Sequence, residues 1–511
     1  MRSQKTLKNI KFDLFITISI VLLGFFSRKI FIDSMGADVT GLMLLFVQLI
    51  GMINIAEMGV GTATASLLYK PLSNNDRPVI AKILHSAAKI YKFISAIVLL
   101  SGMVSGVVIY YTIPAVSEIQ YSLVFWLIYV SNTAISYLFA HYVILFTADQ
   151  KYYAARTIQG GSKIICTLLQ LVVIVIFKNF FIYILCESVF LLIQYFLFIR
   201  KAKAEYDVFD AELIKVSEEK EEFKLVRNRI KNVFFHKIGG VLVFNTDYLI
   251  ISKFLNLVSV TIYSSYMMIF QALAMFVNIL GNSVTASVGN YLSHKNSVEK
   301  KELWNQILVL FFYVATCATA LTFLTITDFV RLWIGNEYVL DKATLYVLLF
   351  NLFILISRVG IDIIKNASGE FSDIYLPIIE GGLNVTLSII LVNKMGFIGV
   401  IIGTALSNIL IICLAKPIYL FKKIFHESIL SFFISLFKPL MLAIISISII
   451  CFYPIFWTKA DHFYDWAMKT AIASVAVFAT VSFVFSISSE FRYITKKILT
   501  LLMKRYESNE N

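Results

Sequence analysis

The sequence predicts an all-α, polytopic membrane protein with about 14 transmembrane helices. Of its 511 residues, 59% are hydrophobic and only 15% are charged, whereas a soluble domain is nearer half apolar and a quarter charged. A water-soluble globule has too little interior to hide this much apolar surface. Runs such as 14–26, 94–109 and 440–451 lie in apolar windows of roughly 20 residues, the length that crosses a bilayer. The excess apolar surface is therefore expected to face lipid.

Apolar windows that are separated by short polar segments give the positions of the spans along the chain. The first six are predicted at 12–34, 41–68, 90–112, 121–146, 153–177 and 180–199. A long polar stretch then separates them from six more, at 233–255, 258–291, 304–328, 343–365, 374–393 and 396–420. The last two are predicted at 429–454 and 465–488.

The basic residues set the orientation of these spans. Most lysines and arginines, Arg156 and Lys416 among them, fall on one side of the predicted topology, with large groups at the N-terminus, at 200–231 and in the C-terminal tail. The opposite side carries only Lys178, Lys253, Arg331, Lys342, Lys394, Lys459 and Lys469. Because cytoplasmic loops are enriched in Lys and Arg, both termini are expected to be cytoplasmic.

Several function classes are disfavoured by the same composition. The net charge of +13 comes from basic loops of a membrane protein, so nucleic acid is not an expected partner. The five cysteines lie in apolar stretches without Cys-x-x-Cys spacing, which implies neither a disulfide framework nor a metal site. The chain has no GxxxxGK[ST] P-loop and no HExxH motif. We therefore expect a non-enzyme without a cofactor.

An internal repeat indicates the domain organisation. Gln-Gly-Gly at 159–161 matches Glu-Gly-Gly at 380–382, and Lys163 and Asn384 follow at the same spacing. Parallel repeats build two lobes around a substrate path. An inert duplicated scaffold is the alternative, but polar residues at corresponding depths favour a path.

The repeat and the polar stretch between its halves predict five parts of the chain. These are an N-terminal lobe at 1–200 with spans 1–6, a cytoplasmic amphipathic linker at 201–232, a C-terminal lobe at 233–423 with spans 7–12, spans 13–14 at 424–490 and a basic cytoplasmic tail at 491–511.

Polar residues inside the spans are the candidates for this path, because such groups are costly in hydrocarbon and by default face a cavity. They include Arg28, Asn54, Glu57, Gln159, Lys163, Glu187, Asp247, Arg358, Asp362 and Glu380. Lys163 lies about 15 Å into its span, near the midplane, and shares a helical face with Gln159. Arg358 and Asp362 are also four residues apart, so a self-neutralising ion pair is the alternative for them.

The second span combines a lone carboxylate with small residues. Gly59 and Gly61 allow neighbouring helices to approach closely, and Pro71 is expected to end the helix. Glu57 precedes this packing segment and is expected to point into the protein interior.

The stretch from Ile50 to Ile90 resembles the second-span signature of bacterial polysaccharide-repeat flippases. Its elements are Asn-x-Ala-Glu-x-Gly from Asn54, Tyr-Lys-Pro-Leu-Ser-x-x-Asp from Tyr69, and Lys-x-Tyr at 89–91. With 14 predicted spans and a six-plus-six repeat, the chain is similar to the multidrug/oligosaccharidyl-lipid/polysaccharide (MOP) exporter superfamily, in its O-antigen or capsule (Wzx-like) flippase branch. The topology extends the resemblance over nearly the whole chain, whereas the specific motif covers only span 2 and its loop.

The resemblance implies a two-lobed, V-shaped transporter in the bacterial inner (plasma) membrane that works by alternating access. It would move undecaprenyl-pyrophosphate-linked oligosaccharide repeat units from the cytoplasmic to the outer leaflet, for O-antigen, lipopolysaccharide or capsule synthesis. Cavity cations in such proteins imply a role for Arg28, Lys163 and Arg358 in binding the pyrophosphate, beside Gln159 and Asn54 as further substrate-binding candidates. Spans 13 and 14 would form a groove for the lipid tail.

The carboxylates have a separate expected role, because Glu57, Asp247, Asp362 and Glu380 are candidates to bind a coupling H⁺ or Na⁺. The expected partners are the lipid-linked oligosaccharide and membrane lipids, with a polysaccharide polymerase and a chain-length regulator as further candidates.

Two rival functions stay open on the sequence alone. A cation-coupled drug or metabolite antiporter of the same superfamily would usually have twelve spans and a more acidic cavity. A membrane polysaccharide polymerase or glycosyltransferase generally needs a large external loop, and the predicted external loops are short.

Overall fold

The computed structural model describes residues 2–57, 59–209, 246–370, 372–373, 375–453 and 458–510. Every regular element in these ranges is a helix, as the sequence predicts. In chain order the α-helices are α1 (Arg2–Ile53), α2 (Val60–Asn74), α3 (Arg77–Thr112), α4 (Pro114–Ser117), α5 (Ser122–Leu138), α6 (Ala140–Ala148), α7 (Tyr152–Phe177), α8 (Phe180–Glu205), α9 (Leu257–His294), α10 (Ser297–Trp333), α11 (Lys342–Ser368), α12 (Tyr375–Met395), α13 (Phe397–Asn408), α14 (Lys416–Leu420), α15 (Ile429–Cys451), α16 (Phe463–Phe485) and α17 (Ser489–Glu510). Short 3₁₀ turns occupy Asn54–Glu57 and Asn336–Tyr338, and π-helical segments occupy Ile409–Ala415 and Phe421–Phe425.

The described helices account for most of the predicted spans. Eleven are long and apolar enough to cross a membrane, and α5 with α6, bent by 43°, would make a twelfth. They correspond to predicted spans 3–6 and 8–14, with the first two spans sharing α1. Residues 246–254 of the predicted seventh span are helical, and its remainder lies outside the described residues. The chain is an all-α polytopic membrane protein.

Glycine separates the first two spans without a loop. Helix α1 has 52 residues, and at 1.5 Å per residue it is about 78 Å long, well over twice the thickness of a bilayer core. Gly36 interrupts it with φ 79° and ψ 172°, a conformation that side chains with a Cβ rarely adopt. A Cβ at Gly36 would meet open space, so backbone conformation rather than crowding requires the glycine.

The second span was predicted as one stretch from 41 to 68, but the structure shows a break in the helix within it. Helix α1 ends at Ile53, the chain makes a 3₁₀ turn over Asn54–Glu57, and α2 restarts after Gly59, which has φ 101°. The expected stop at Pro71 is also wrong, because α2 continues to Asn74 and ends at a left-handed Asn75. Pro71 lies inside α2 and lacks the N–H that would donate to the carbonyl four residues earlier, so the helix continues past it with one backbone hydrogen bond fewer.

Polar caps start two helices well before their apolar windows. Asp76 accepts a hydrogen bond from the backbone N–H of Val79 at 3.3 Å and begins α3. Asn296 and Glu299 form a reciprocal capping box at the start of α10. Both helices therefore have polar N-terminal extensions that hydropathy alone leaves out. At the other end of a span, α8 continues to Glu205 and so enters the start of the predicted 201–232 linker; residues 210–245 lie outside the described ranges.

The chain divides into two compact units, Met1–Tyr263 and Ser264–Asn511. In the first, α2, α3, α5 and α6 bury a core around Leu68, Leu84, Val98 and Leu145. In the second, α10 packs against α15 and α16 around Phe312, Leu324, Val477 and Phe485. Many large apolar side chains outside these cores are exposed, as a lipid-facing surface requires; they include Leu100, Val104, Ile176, Phe196, Ile434 and Phe483.

Candidate functional site

A cavity of about 490 Å³ opens inside the N-terminal unit. The helices α1, α3, α5, α6, α7 and α8 and the 3₁₀ turn line it with polar and apolar side chains. Three of the sequence-predicted site residues meet there, namely Glu57, Gln159 and Lys163. Gln194 and Arg156 add polar groups from α8 and α7.

Lys163 and Gln159 lie on the same face of α7, as their spacing predicts. The Lys163 ammonium group donates to Glu187 of α8 at 3.2 Å. The two side chains are 48% and 34% exposed, so this ion pair is accessible rather than sequestered. An accessible pair of this kind is weak, and either partner can exchange to another ligand.

The 3₁₀ turn places Asn54 and Glu57 against two tyrosines. The Tyr137 hydroxyl donates to Asn54 Oδ1 at 2.7 Å, and the Tyr91 hydroxyl donates to Glu57 Oε1 at 3.0 Å. The two tyrosine rings are stacked, with centroids 6.1 Å apart and planes 21° from parallel. Both tyrosines are buried, and they hold the interrupted part of span 2 in place.

Arg156 is a cavity residue that sequence reasoning assigned to the cytoplasmic group of basic residues. Its guanidinium donates to Asp13 Oδ1 at 2.7 Å and to Thr17 Oγ1 at 2.8 Å, both on α1. Arg156 precedes Gln159 by three residues and Lys163 by seven, so helical spacing already placed it on their face.

Arg28 and Asp247 do not line this cavity. Asp247 is buried and accepts a hydrogen bond from the Tyr263 hydroxyl at 2.8 Å. Arg28 is half-buried and interacts electrostatically with Tyr183 and Tyr248. These two candidates therefore belong to a separate polar region of the N-terminal unit.

The remaining candidates form a charged cluster in the C-terminal unit. Arg358 Nε lies 3.5 Å from Asp362 Oδ2, so the two side chains form the ion pair on α11 that their spacing allows. Asp362 also accepts from Lys416 of α14, which is buried. Glu380 of α12 is 4% exposed, and no residue in the described part of the chain forms a hydrogen bond with its Oε1.

Sequence reasoning missed Lys416 because it was counted with the basic residues of the cytoplasmic side. It lies between the π-helical segments Ile409–Ala415 and Phe421–Phe425, and π-helical turns often occur at functional sites. The apolar run around it gives no signal that its partner is Asp362, 54 residues away.

The matched glycine motifs occupy different environments. In α7, a Cβ on Gly160 would lie 2.2 Å from the Ile16 side chain, so Gly160 permits close packing on α1, whereas Gly161 faces open space. In α12, Asn384 is fully buried and donates to Thr404 of α13 at 2.9 Å. Lys163 therefore borders a cavity, while Asn384 belongs to a packed helix interface.

A second cavity, an apolar groove of about 540 Å³, lies in the C-terminal unit. It is formed by α10, α11 and α15, with aromatic and aliphatic walls that include Phe323, Phe350, Phe353, Leu440 and Ile444. Among the described residues, no cluster of three His, Cys, Asp or Glu side chains could hold a metal ion.

No protein-family profile matches the sequence, and no curated protein sequence matches it. Solved structures do match. One described as the lipid II flippase MurJ in an inward closed conformation has a TM-score of 0.67 at 14% identity, covering 93% of this chain and 98% of that chain. One described as an inward-facing multidrug resistance MATE family transporter of the MOP superfamily has a TM-score of 0.61 at 14% identity, covering 85% of this chain and 96% of that chain.

A further match is a MATE structure in complex with MaD3S, with a TM-score of 0.50 at 14% identity, covering 87% of this chain and 96% of that chain. At such low identity the likeness concerns the fold. The chain shares its fold with structures described as a MurJ flippase and as a MATE family transporter of the MOP superfamily, which is the fold that the predicted superfamily implies. Its neighbours are transporters and flippases rather than enzymes.

Proposed function

We propose that the protein is a flippase that moves undecaprenyl-pyrophosphate-linked oligosaccharide repeat units from the cytoplasmic to the outer leaflet by alternating access. The observation that carries this proposal is the presence of two unlike cavities in one chain. The N-terminal cavity offers charged and amide groups, whereas the C-terminal groove is almost entirely apolar. A lipid-linked saccharide has a polar head and a polyisoprenoid tail, and each part needs a different environment.

The cations are proposed to bind the pyrophosphate. Lys163 borders the cavity in an accessible ion pair, so a phosphate oxygen can replace Glu187 as its partner. Arg358 and Arg28 are the further candidates for this role. Gln159 and Asn54 are proposed to hydrogen-bond the substrate.

A carboxylate is proposed to carry the coupling ion. Glu380 fits this role best among Glu57, Asp247, Asp362 and Glu380. Its Oε1 is buried with no hydrogen-bond partner among the described residues, whereas each of the other three carboxylates accepts a described hydrogen bond. Burying an unpartnered polar oxygen costs free energy, and a bound H⁺ or Na⁺ would offset that cost. Ion-dependent export by the wild type and ion-independent residual export by Glu380→Gln are the expected results.

The proposed setting is the bacterial inner membrane, with both termini cytoplasmic and with surface polysaccharide as the end product, O-antigen, lipopolysaccharide or capsule. A polysaccharide polymerase and a chain-length regulator would act on the exported units. Single cysteines test the topology in intact cells: a membrane-impermeant maleimide should label Asp461→Cys and spare Asn74→Cys. The reverse pattern would refute the orientation.

The function is tested by deleting the gene and following the lipid-linked repeat unit. Deletion should abolish surface glycan and leave lipid-linked units in the inner leaflet, and wild-type protein expressed from a plasmid should restore export. Normal surface glycan in cells without a second flippase would contradict the proposal.

A cation-coupled drug or metabolite antiporter is the second candidate. It is favoured by the likeness to the MATE transporter fold and by carboxylate Glu57 in the N-terminal cavity. Increased drug sensitivity of the deletion strain, together with unchanged surface glycan, would support this candidate instead.

A further inference from the structure

Helix α17 is anchored to the C-terminal unit at its first turn. It follows the apolar helix α16 after a turn of three residues. The ring of the buried Phe491 lies 4.8 Å, between centroids, from the Tyr313 ring of α10. The Glu490 carboxylate lies 2.6 Å from the ammonium group of Lys438 on α15. Contacts to two helices of the unit therefore fix where α17 begins.

The start of α17 lies at a membrane surface. Helix α16 is apolar and has 23 residues, which at 1.5 Å per residue extend over about 35 Å. This length crosses the roughly 30 Å hydrocarbon core of a bilayer once, so the end of α16 and the beginning of α17 lie beside the lipid headgroups. The charged pair of Lys438 and Glu490 suits that polar layer, since ionised side chains are costly in hydrocarbon.

One face of α17 is apolar and becomes more exposed along the helix. Phe491, Ile494 and Ile498 follow one another at intervals of three and four residues, so they share this face. Phe491 is buried, Ile494 is half-buried and Ile498 is 48% exposed. The apolar face thus begins in the protein core and continues beyond it as exposed surface.

The opposite side of α17 is basic. Arg492, Lys496 and Lys497 are all exposed. Arg492 and Lys496 lie one turn apart, across the helix from Ile498. The ammonium group of Lys497 is 6.0 Å from the ring centre of the exposed Tyr493, and tyrosine is enriched at membrane–water interfaces. An apolar face opposite a basic one is the pattern of helices that lie in the plane of a membrane surface.

We propose that α17 lies in the plane of the membrane surface and binds anionic phospholipids there. Ile498 enters the boundary between headgroups and acyl chains, and Arg492, Lys496 and Lys497 pair with the negatively charged headgroups. Anionic lipid matches both features, because it offers apolar chains to one face and negative charge to the other. Each cation near such a surface strengthens binding about fivefold. The proposal concerns this helix alone and is independent of the transported substrate.

The test measures the depth of α17 in the full-length protein, in nanodiscs of phosphatidylcholine with or without added phosphatidylglycerol. A spin label is attached at Ile498→Cys, or at Lys496→Cys on the opposite side, after the native cysteines are replaced by serine. Collisions with O₂ report contact with acyl chains, and collisions with a water-soluble nickel chelate report contact with water. With phosphatidylglycerol, the label at Ile498→Cys should contact acyl chains and the label at Lys496→Cys should stay in water.

Two double variants with the same change in charge test the basic side of the helix. Lys496→Gln with Lys497→Gln should shift the equilibrium of the Ile498→Cys label toward water about 25-fold in phosphatidylglycerol nanodiscs, the effect of two cations. Lys422→Gln with Lys423→Gln is the matched control, because these lysines are exposed but lie outside α17. The control should leave the label in contact with acyl chains.

A second measurement keeps the native cysteines. Trypsin cleavage after Lys496 and Lys497 should be slower in phosphatidylglycerol nanodiscs than in phosphatidylcholine alone, because a helix bound to the membrane cannot enter the active site of the protease. Equal cleavage rates in the two membranes would overturn the proposal.

The label distinguishes the other possible positions of α17, each of which would overturn the proposal. Contact with water at Ile498→Cys in both membranes would place the helix away from the lipid. Equal insertion with and without phosphatidylglycerol would show no preference for anionic lipid. Shielding of both labels from both collision partners would show that α17 packs against protein instead. An equal effect of the two double variants would show that overall charge, rather than the cations of α17, attracts the lipid.

Discussion

The N-terminal cavity and the C-terminal charged cluster are built from the same residue types but differ in exposure. In the N-terminal unit, Lys163 and Glu187 are 48% and 34% exposed and border a cavity. In the C-terminal unit, Arg358 and Lys416 are 20% and 11% exposed, and both contact the one carboxylate of Asp362, which is 33% exposed. The two regions therefore differ in the exposure of their cations and not of their carboxylates. Accessible charges can exchange partners with a ligand, whereas buried charges depend on the partners they already have.

Charged residues within the spans can serve transport or stability, and the sequence alone does not show which role a given residue has. Their exposure in the structure distinguishes the two roles. The N-terminal charges are expected to affect transport more than stability. The C-terminal cluster is expected to affect stability first, and transport as a consequence.

The largest effect is expected from Asp362→Ala. The substitution leaves Lys416 buried without its carboxylate partner, and breaking such a pair costs about 3 kcal/mol or more. Membrane abundance and the detergent-solubilised Tm should both fall strongly. Glu187→Gln is the accessible counterpart, and its cost should stay below about 1 kcal/mol. Equal Tm values for the two variants would show that the ion pairs of the two units contribute equally to stability.

Lys163→Ala tests the N-terminal unit, where removing a charge should affect export more than stability. Because its partner Glu187 is accessible, removing the lysine leaves no fully buried charge, and abundance should stay near that of the wild type. Surface glycan should nevertheless be lost, and Lys163→Arg should retain more export than Lys163→Ala because it keeps the charge. Lys178→Gln, at the exposed C-terminal end of the same helix, is the control and should export normally. Full export by Lys163→Ala would contradict the proposed role.

The close packing of α7 on α1 predicts an intermediate effect. A Cβ at Gly160 would lie 2.2 Å from the buried Ile16 side chain, whereas one at Gly161 would meet nothing within 4 Å. Gly160→Ala should therefore destabilise by about 1–3 kcal/mol, and Gly161→Ala should be neutral or stabilise by up to about 1 kcal/mol through helix propensity. Thermal unfolding of the two neighbouring variants measures the difference directly. Similar Tm values for both variants would show that α1 moves enough to accommodate the added methyl group without loss of stability.

The smallest effect concerns pH and the C-terminal helix. Burial alone would raise the pKa of Glu490, but hydrogen bonds from Lys438 and Ser488 outweigh it and lower the pKa to about 2. Since a glutamate in the unfolded chain titrates near pH 4.3, the unfolded state takes up the proton first, and the stabilisation present above that pH is lost as pH falls toward about 2. The Tm of the wild type should decline more steeply below about pH 4.3 than that of Glu490→Gln. Parallel curves would contradict this contact.

The helical fold followed from the sequence because hydropathy is a local property. Spans 3, 5 and 6 appear as α3, α7 and α8 near their predicted positions, since each apolar window meets the length requirement of the bilayer by itself. Helix starts were less accurate. Asp76 and Asn296 extend α3 and α10 into polar segments that a hydropathy window discounts.

The candidate site was predictable only in part. Gln159 and Lys163 were placed on one face by their spacing, and the structure puts both in the cavity. Arg156 shares that face but was counted with the basic residues of the cytoplasmic side. The break after Ile53 was missed because Asn54 and Glu57 lie in an apolar stretch that reads as continuous helix. From the sequence, Gly59 is compatible either with close helix packing or with a turn. Its φ of 101° shows that it lies in the turn before α2.

By itself the sequence determined the helical class, most of the spans and which polar residues lie within them, because these depend on local hydropathy and on helical periodicity. Only the tertiary structure decided the partner of each polar group: Tyr137 reaches Asn54 across 83 residues, and Lys416 reaches Asp362 across 54. Whether a charge is accessible or buried depends on neighbours from other helices, since a side chain's exposure is set by what packs around it. That packing distinguishes Lys163, at the border of a cavity, from Lys416, enclosed in the C-terminal unit.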